Sequence, residues 1–97
     1  MIEEIIEFYG KENQCRLAME ECAELIQAIN KCLRYPNDKE RRENLLEEIA
    51  DVNIMLDVLF IMFDFDTKEY IDMKGAKENR IVERFKQDKE VKWWKCY

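Results

Sequence analysis

The amino-acid sequence predicts an all-α protein, a four-helix bundle that assembles with copies of itself. Only two of the 97 residues are Gly and one is Pro, while 47% are hydrophobic and 39% are charged. Such a composition is typical of helices and is unusual in a turn-rich β fold. Long segments place apolar residues every three or four positions, and short turn signals separate them, which favours antiparallel helices. We therefore treat residues 1–97 as one domain with a core at about 13–88.

The first two helices can be placed by the residues that end them. A short helix at 2–9 is predicted to stop at Gly10, because glycine readily adopts the backbone conformation that ends a helix. A second helix at about 13–33 stops before Pro36, which cannot continue a helix. Because the turn around Pro36 is short, the next helix should run antiparallel to the second.

The last two helices begin at residues that suit a helix N-terminus. Asp38 is predicted to cap a third helix, which continues to about residue 63. Thr67 is predicted to cap a fourth helix, which extends to about residue 88 and is weakened by Gly75. The remaining tail, 89–97, shows no clear period.

The charge balance limits the partners of this protein. The formal net charge is −6 and the pI is near 4.8, which argues against binding a nucleic acid polymer through a basic face. A nucleotide substrate is not excluded. Clustered carboxylates repel a triphosphate unless a divalent cation lies between them, so an acidic nucleotide enzyme should require a metal.

The cysteines and the apolar segments indicate a cytoplasmic protein. Four cysteines, at positions 15, 22, 32 and 96, have no C-x-x-C spacing, and there is no His. We expect buried free thiols in a reducing compartment. No signal peptide is visible at the N-terminus. The most hydrophobic stretch, 49–65, contains three Asp and one Asn, which a membrane span rarely tolerates. No membrane association is therefore predicted.

Two pairs of carboxylates carry the chemical signal. Glu48 and Asp51 project from the third helix on the side of its large apolar residues, and Glu21 and Glu24 lie at the border of the apolar stripe of the second helix. At spacing i, i+3 the members of a pair point the same way. Carboxylates among apolar side chains are costly unless a cation compensates them. Oxygen ligands without His or Cys favour Mg²⁺ or Mn²⁺ over zinc.

Other interpretations of these acids stay open. A single E-x-x-E on a helix is usually a solvated face, so the signal depends on finding two pairs on adjacent helices. A helical interaction module without enzymatic activity, such as a small dimeric regulator, is the alternative function. A di-iron bundle is disfavoured, because such sites usually carry E-x-x-H on two helices and this chain has no His.

The two acidic motifs resemble those of the MazG-like all-α nucleotide pyrophosphohydrolases, whose signature is E-x-x-E, a spacer and E-x-x-D. The motifs are Glu20-Glu21-Cys22-Ala23-Glu24-Leu25 and Glu47-Glu48-Ile49-Ala50-Asp51-Val52. The resemblance covers about residues 13–85. It implies a dimer or tetramer and Mg²⁺-dependent cleavage of a nucleoside triphosphate between the α- and β-phosphates, which yields the monophosphate and pyrophosphate.

The resemblance also implies roles for individual residues. Carried over, the metal ligands are Glu21, Glu24, Glu48 and Asp51. The preceding acidic residues, Glu20 and Glu47, match positions from which a carboxylate could orient or deprotonate the attacking water. Which base or sugar the enzyme prefers is left open.

Basic residues on two helices are candidates for holding the phosphates. Lys77, Arg80 and Arg84 lie at i, i+3 and i+7 and form one stripe on the fourth helix, where relatives also carry Lys and Arg. A solvated or salt-bridged face is an equally good interpretation of that stripe. Lys31, near the end of the second helix, is a further candidate, although it could simply complement the helix dipole.

Apolar residues around much of the third helix predict obligate self-association. They are Val52, Ile54, Leu56, Phe60, Ile61 and Phe63. Trp93 and Trp94 in the tail are expected to cover an apolar patch or to pack across a subunit interface, with stacking on a base as the alternative.

Overall fold

The computed structural model describes the backbone of residues 1–95 and the side chains of residues 1–91. In this part of the chain four α-helices and no strands are present, which confirms the all-α prediction. The helices are α1 (Ile2–Tyr9), α2 (Lys11–Arg34), α3 (Lys39–Met62) and α4 (Thr67–Lys95). The chain divides into two compact units, one holding α1, α2 and α3 and the other holding α4.

Gly10 separates α1 from α2, as the sequence predicts. Its φ of +87° lies in a region that favours glycine, and its N–H donates to the carbonyl oxygen of Ile6 at 2.8 Å. A single residue in this conformation is enough to end one helix and start the next. Helix α2 therefore begins at Lys11, two residues before the predicted start.

Asp38 caps α3, which confirms the predicted N-terminus. Its Oδ1 accepts from the backbone N–H of Arg41 at 3.1 Å, and its Oδ2 accepts from Arg41 Nη1 at 2.6 Å. The Arg41 guanidinium also lies 4.0 Å from the ring centroid of Tyr35, within the turn that joins α2 to α3. Arg41 thus ties this turn to the first turn of α3.

Helices α2 and α3 pack antiparallel. Cys32, late in α2, donates from Sγ to the carbonyl oxygen of Arg41, early in α3, at 3.3 Å. Ala18, early in α2, packs against Met55 and Val58, late in α3. The packed residues recur at alternating spacings of four and three, the pattern of a coiled coil. This α2–α3 seam consists of Gln14, Ala18, Glu21, Leu25, Ala28 and Cys32 on α2 and Arg41, Leu45, Glu48, Val52, Met55, Leu59 and Met62 on α3.

The short helix α1 covers one end of the seam. Its Ile2 and Ile6 pack against the buried cluster of Ala18, Met55 and Val58. These buried residues are apolar, so the hydrophobic effect holds α1 in place. The seam is therefore filled with apolar side chains at this end, and the acidic residues lie farther along it.

Helix α4 corrects two predictions. Its N-terminus is capped by Asp66, whose Oδ2 accepts from the backbone N–H of Glu69 at 2.9 Å, and Thr67 is already the first helical residue. The helix also continues through residue 95, past the predicted end at 88, because 89–95 contain neither Gly nor Pro. The side chains of Trp93 and Trp94 lie outside the described residues.

The thiols are less buried than the sequence predicts. Cys15, Cys22 and Cys32 are free, as expected, but Cys22 is exposed and the other two are half-buried. Cys22 lies one position beside the seam, where α3 does not cover it. Cys96 lies outside the described residues. In the part of the chain that the structure describes, no helix is both long enough and apolar enough to cross a membrane.

Candidate metal centre

Glu21 and Glu48 occupy seam positions at which a coiled coil normally packs apolar side chains. Because α2 and α3 are antiparallel, these two residues meet across the seam. Both are half-buried, and the exposed Asp51 lies one turn farther along α3. One carboxylate oxygen from each of Glu21, Glu48 and Asp51 lies within 4.8 Å of the others. The structure thus brings together three of the four carboxylates that the motifs single out.

Two carboxylate oxygens in this cluster are buried without a partner. They are Glu21 Oε2 and Glu48 Oε2, which accept no hydrogen bond. Among the side chains of residues 1–91, no Lys or Arg forms an ion pair with Glu21, Glu48 or Asp51. A buried acceptor that lacks both a donor and a counter-charge is costly. The protein itself therefore leaves negative charge uncompensated at this point of the seam.

The electrostatics of the cluster agree with its geometry. Burial raises the pKa of Glu21 above its usual 4.5, and the charges of Glu24, Asp51 and Glu48 raise this pKa further. Burial also raises the pKa of Glu48 above 4.5, with additional contributions from the charges of Glu24, Asp51 and Glu47. Burial and the neighbouring negative charges thus make Glu21 and Glu48 harder to ionise.

Glu24, the fourth predicted ligand, is exposed and borders the cluster. Its charge raises the pKa of both Glu21 and Glu48. Its oxygens are not among the three that lie within 4.8 Å of one another.

The donor set fits a hard divalent cation. Carboxylate oxygens are the ligands that Mg²⁺ and Mn²⁺ prefer, and no sulfur or imidazole is among them. A divalent cation at this point would give the two buried oxygens a partner and offset the charges that raise the pKa values. The residues present therefore fit such an ion by the chemistry of their donor atoms.

The other predicted site residues are not part of the cluster of three carboxylates. Glu20 and Glu47 are exposed and directly precede the seam carboxylates of their helices. Lys31 is exposed near the end of α2. The three α4 cations, Lys77, Arg80 and Arg84, are exposed on the second unit.

Comparison with protein families assigns the part of the chain that carries the acidic cluster to a known domain. A family model, the MazG nucleotide pyrophosphohydrolase domain, matches residues 10–88. The chain belongs to this family. The match includes α2, α3 and most of α4, so both acidic motifs of this chain lie within the matched residues. Comparison with curated proteins and with solved structures gives no match.

Sequence reasoning missed three residues that lie near the cluster. Glu40, Arg41 and Asn44 line a cavity between α2 and α3 together with Lys31. The signal that could have found them is their spacing, because Glu40, Arg41 and Asn44 each precede an acidic residue of the second motif by seven positions. Residues seven apart lie on the same side of a coiled-coil helix.

Proposed function

We propose that this MazG-family protein is a Mg²⁺-dependent nucleoside triphosphate pyrophosphohydrolase. It would cleave ribo- or deoxyribonucleoside triphosphates between the α- and β-phosphates and release the monophosphate and pyrophosphate. Family membership supports the reaction class. The observation that carries the proposal is the pair of buried, unpartnered oxygens of Glu21 and Glu48, because a pure interaction module would be better served by apolar residues at these seam positions.

The proposed ligands of Mg²⁺, for which Mn²⁺ could substitute, are Glu21, Glu24, Glu48 and Asp51. When bound, the ion would offset charge on the phosphates and lower the pKa of the attacking water. Glu21 and Glu48 fix the centre to the seam, since their backbones lie on helices that are packed together. Asp51 and Glu24 are exposed, so they can face the substrate side of the ion.

Glu47 is the preferred candidate for the general base, with Glu20 as the second. Glu47 directly precedes the proposed ligand Glu48, and its charge contributes to the raised pKa of Glu48. It would accept a proton from water as the water oxygen bonds to the α-phosphorus. The bond from the α-phosphorus to the bridging oxygen then breaks, and pyrophosphate leaves with the electron pair. Both residues are exposed and can reach solvent and substrate.

The phosphates would be held by basic residues. Lys77, Arg80 and Arg84 lie on one face of α4, and their spacing lets them contact one polyphosphate together. None of the three forms an ion pair among the described side chains, so their charges are not committed to an acidic neighbour. Lys31 on α2 is a further candidate for contacting the phosphates.

Self-association is proposed from one side of the α2–α3 seam. The exposed side chains there define the apolar side: Met19, Cys22, Ile26, Ile29 and Leu33 of α2 with Leu46, Ile49, Leu56 and Phe63 of α3. Val52, which the sequence places on the exposed surface, is instead buried in the seam. The apolar surface extends along both helices, and a second copy would remove it from water. A dimer or tetramer would result.

The reaction can be tested by measuring phosphate and pyrophosphate release from a panel of canonical and modified NTPs and dNTPs. Wild type, Glu48→Gln and the control Glu7→Gln, an exposed residue of α1, would each be assayed with Mg²⁺ and with EDTA. We expect pyrophosphate release with Mg²⁺ from wild type and Glu7→Gln, and none from Glu48→Gln. No turnover of any nucleotide by a folded wild type would instead favour the interaction module.

A further inference from the structure

A cavity of about 350 Å³ lies between α2 and α3, beyond the acidic cluster. Its lining residues are Lys31 on α2 and Glu40, Arg41 and Asn44 on α3. The volume is within the range of pockets that bind small molecules. Three of the four residues have no role in the proposed chemistry, so the cavity needs its own explanation.

The residues that line the cavity lie one heptad along the seam from residues of the acidic motifs. Lys31 follows Glu24 by seven residues, and Asn44 precedes Asp51 by seven. Because the helices are antiparallel, both steps lead in the same direction along the seam. Residues seven apart on a coiled-coil helix lie on the same side, with a rise of about 10 Å. The cavity and the acidic cluster are therefore neighbours on one side of the seam.

In the opposite direction along the seam, within the unit that holds α1, α2 and α3, helix α1 leaves no room for a ligand. Val58, seven residues after Asp51, is buried under α1, where Ile2 and Ile6 pack. A ligand whose phosphates lie at Asp51 can thus extend along this side of the seam only toward Asn44. The length available, about one heptad, suits a nucleoside attached to the α-phosphate.

The charges in the cavity suit a nucleoside better than a polyphosphate. Arg41 is paired with Asp38 at 2.6 Å, and Glu40 offsets Lys31, so little net positive charge remains. The first turn of α3 is already capped by Asp38, so its N–H groups do not form an anion site. Asn44 carries a donor and an acceptor, the combination that pairs with the edge of a base. Glu40 can accept from a sugar hydroxyl or an amino group.

We propose that the cavity lined by Lys31, Glu40, Arg41 and Asn44 binds the nucleoside of the substrate, and that Asn44 reads the edge of the base. The proposal rests on the proposed function for the identity of the ligand. It adds a specificity residue that neither acidic motif contains, and it places the base beside α2 and α3.

The decisive variant is Asn44→Asp, which keeps the shape of the side chain and removes its donor. The matched control is Asn53→Asp, which makes the same change on the exposed opposite edge of α3. We expect Asn44→Asp to raise the ratio of kcat/KM for CTP to that for UTP by about tenfold, because an acceptor favours the amino group of cytosine. Asn53→Asp should leave the ratio unchanged. An unchanged ratio in Asn44→Asp would overturn the assignment of Asn44 to the edge of the base.

A second measurement separates this proposal from the proposed function. Binding of AMP, CMP, GMP and UMP would be measured calorimetrically in EDTA for wild type and for Asn44→Ser, which serves also if Asn44→Asp fails to fold. Binding that weakens at least about fivefold in Asn44→Ser supports the cavity even if wild type hydrolyses nothing. Binding that is absent in wild type, or unchanged in Asn44→Ser, excludes the cavity as the nucleoside site whether or not the protein hydrolyses nucleotides.

Discussion

Glu21 on α2 and Glu48 on α3 face each other across the α2–α3 seam, and each has one buried oxygen that accepts no hydrogen bond. An apolar pair at these positions would pack the helices together without electrostatic cost. The carboxylates therefore reduce the stability of the metal-free protein, and their buried oxygens are available to bind a cation. The effects of this pair on the free energy of unfolding can be measured without an assay of turnover.

Glu48→Gln should stabilise the metal-free protein and abolish its response to Mg²⁺. The substitution removes one charge from the cluster, and the new amide can donate to Glu21. In EDTA the urea midpoint of the variant should exceed that of wild type. With Mg²⁺ at about a hundred times its Kd, wild type should gain about 2.7 kcal/mol, while the variant gains little.

The control for this experiment is Glu7→Gln on α1. Glu7 is exposed and is not one of the seam residues. The variant should behave as wild type in both solutions. Equal stabilisation of wild type and Glu48→Gln by Mg²⁺ would show that the cation binds elsewhere and would contradict the proposed ligand set.

The stability of the metal-free protein should fall as the pH rises above about 4.5. The pKa values of Glu21 and Glu48 are raised from 4.5 in the folded state, chiefly by burial. Above pH 4.5 the folded protein thus holds more protons than the unfolded chain, so the free energy of unfolding decreases until the pH passes both folded-state pKa values. Urea denaturation in EDTA at a series of pH values measures this decrease.

Two comparisons identify the source of that pH dependence. Mg²⁺ should remove the decrease, because the cation takes the place of the protons. The pKa of Asp38 is lowered from 3.8, mainly by the backbone N–H of Arg41, so its contribution has the opposite sign and is lost only as the pH falls below that range. A Glu48→Gln variant that shows the full wild-type decrease would contradict the assignment.

The two glycines should respond to alanine in opposite directions. The backbone of Gly75 is helical and an added Cβ would meet no atom within 4 Å, so Gly75→Ala should stabilise α4 by about 0.5–1 kcal/mol. Gly10 also has open space, but its φ of +87° and ψ of 151° are adopted almost only by glycine, so Gly10→Ala should cost about 1–3 kcal/mol. Urea denaturation followed by circular dichroism measures both. A loss of stability in Gly75→Ala would indicate that something packs on that face of α4.

Signals close together in the sequence allowed the helix ends and the acidic pairs to be predicted. Gly10 and Asp38 act on the helix turn beside them, and the i, i+3 spacing of Glu48 and Asp51 fixes their common face wherever the helix packs. The end of α4 could not be found in this way, because 89–95 carry no residue that breaks a helix.

The width of the apolar stripe on α2 concealed which of its residues face α3. A helical wheel groups Ala18, Cys22 and Ile26 together, but only Ala18 is buried and Ile26 is 61% exposed. The heptad register of both helices decides between them, and that register depends on how α2 and α3 pair. The cavity beside Asn44 was missed for the same reason, since it exists only between paired helices.

The apolar side of the seam should be the contact between copies of this chain. Ile26 and Leu56 are 61% and 51% exposed there, on different helices. Replacing both with Lys would bury two unpaired charges in the contact, so the dissociation constant should rise at least about a hundredfold. Phe8→Lys on α1, which removes an apolar side chain that is 81% exposed, should leave association unchanged. Sedimentation velocity over a range of concentrations measures the assembly. A wild type that stays monomeric throughout, or a double variant that associates as wild type does, would contradict this interface.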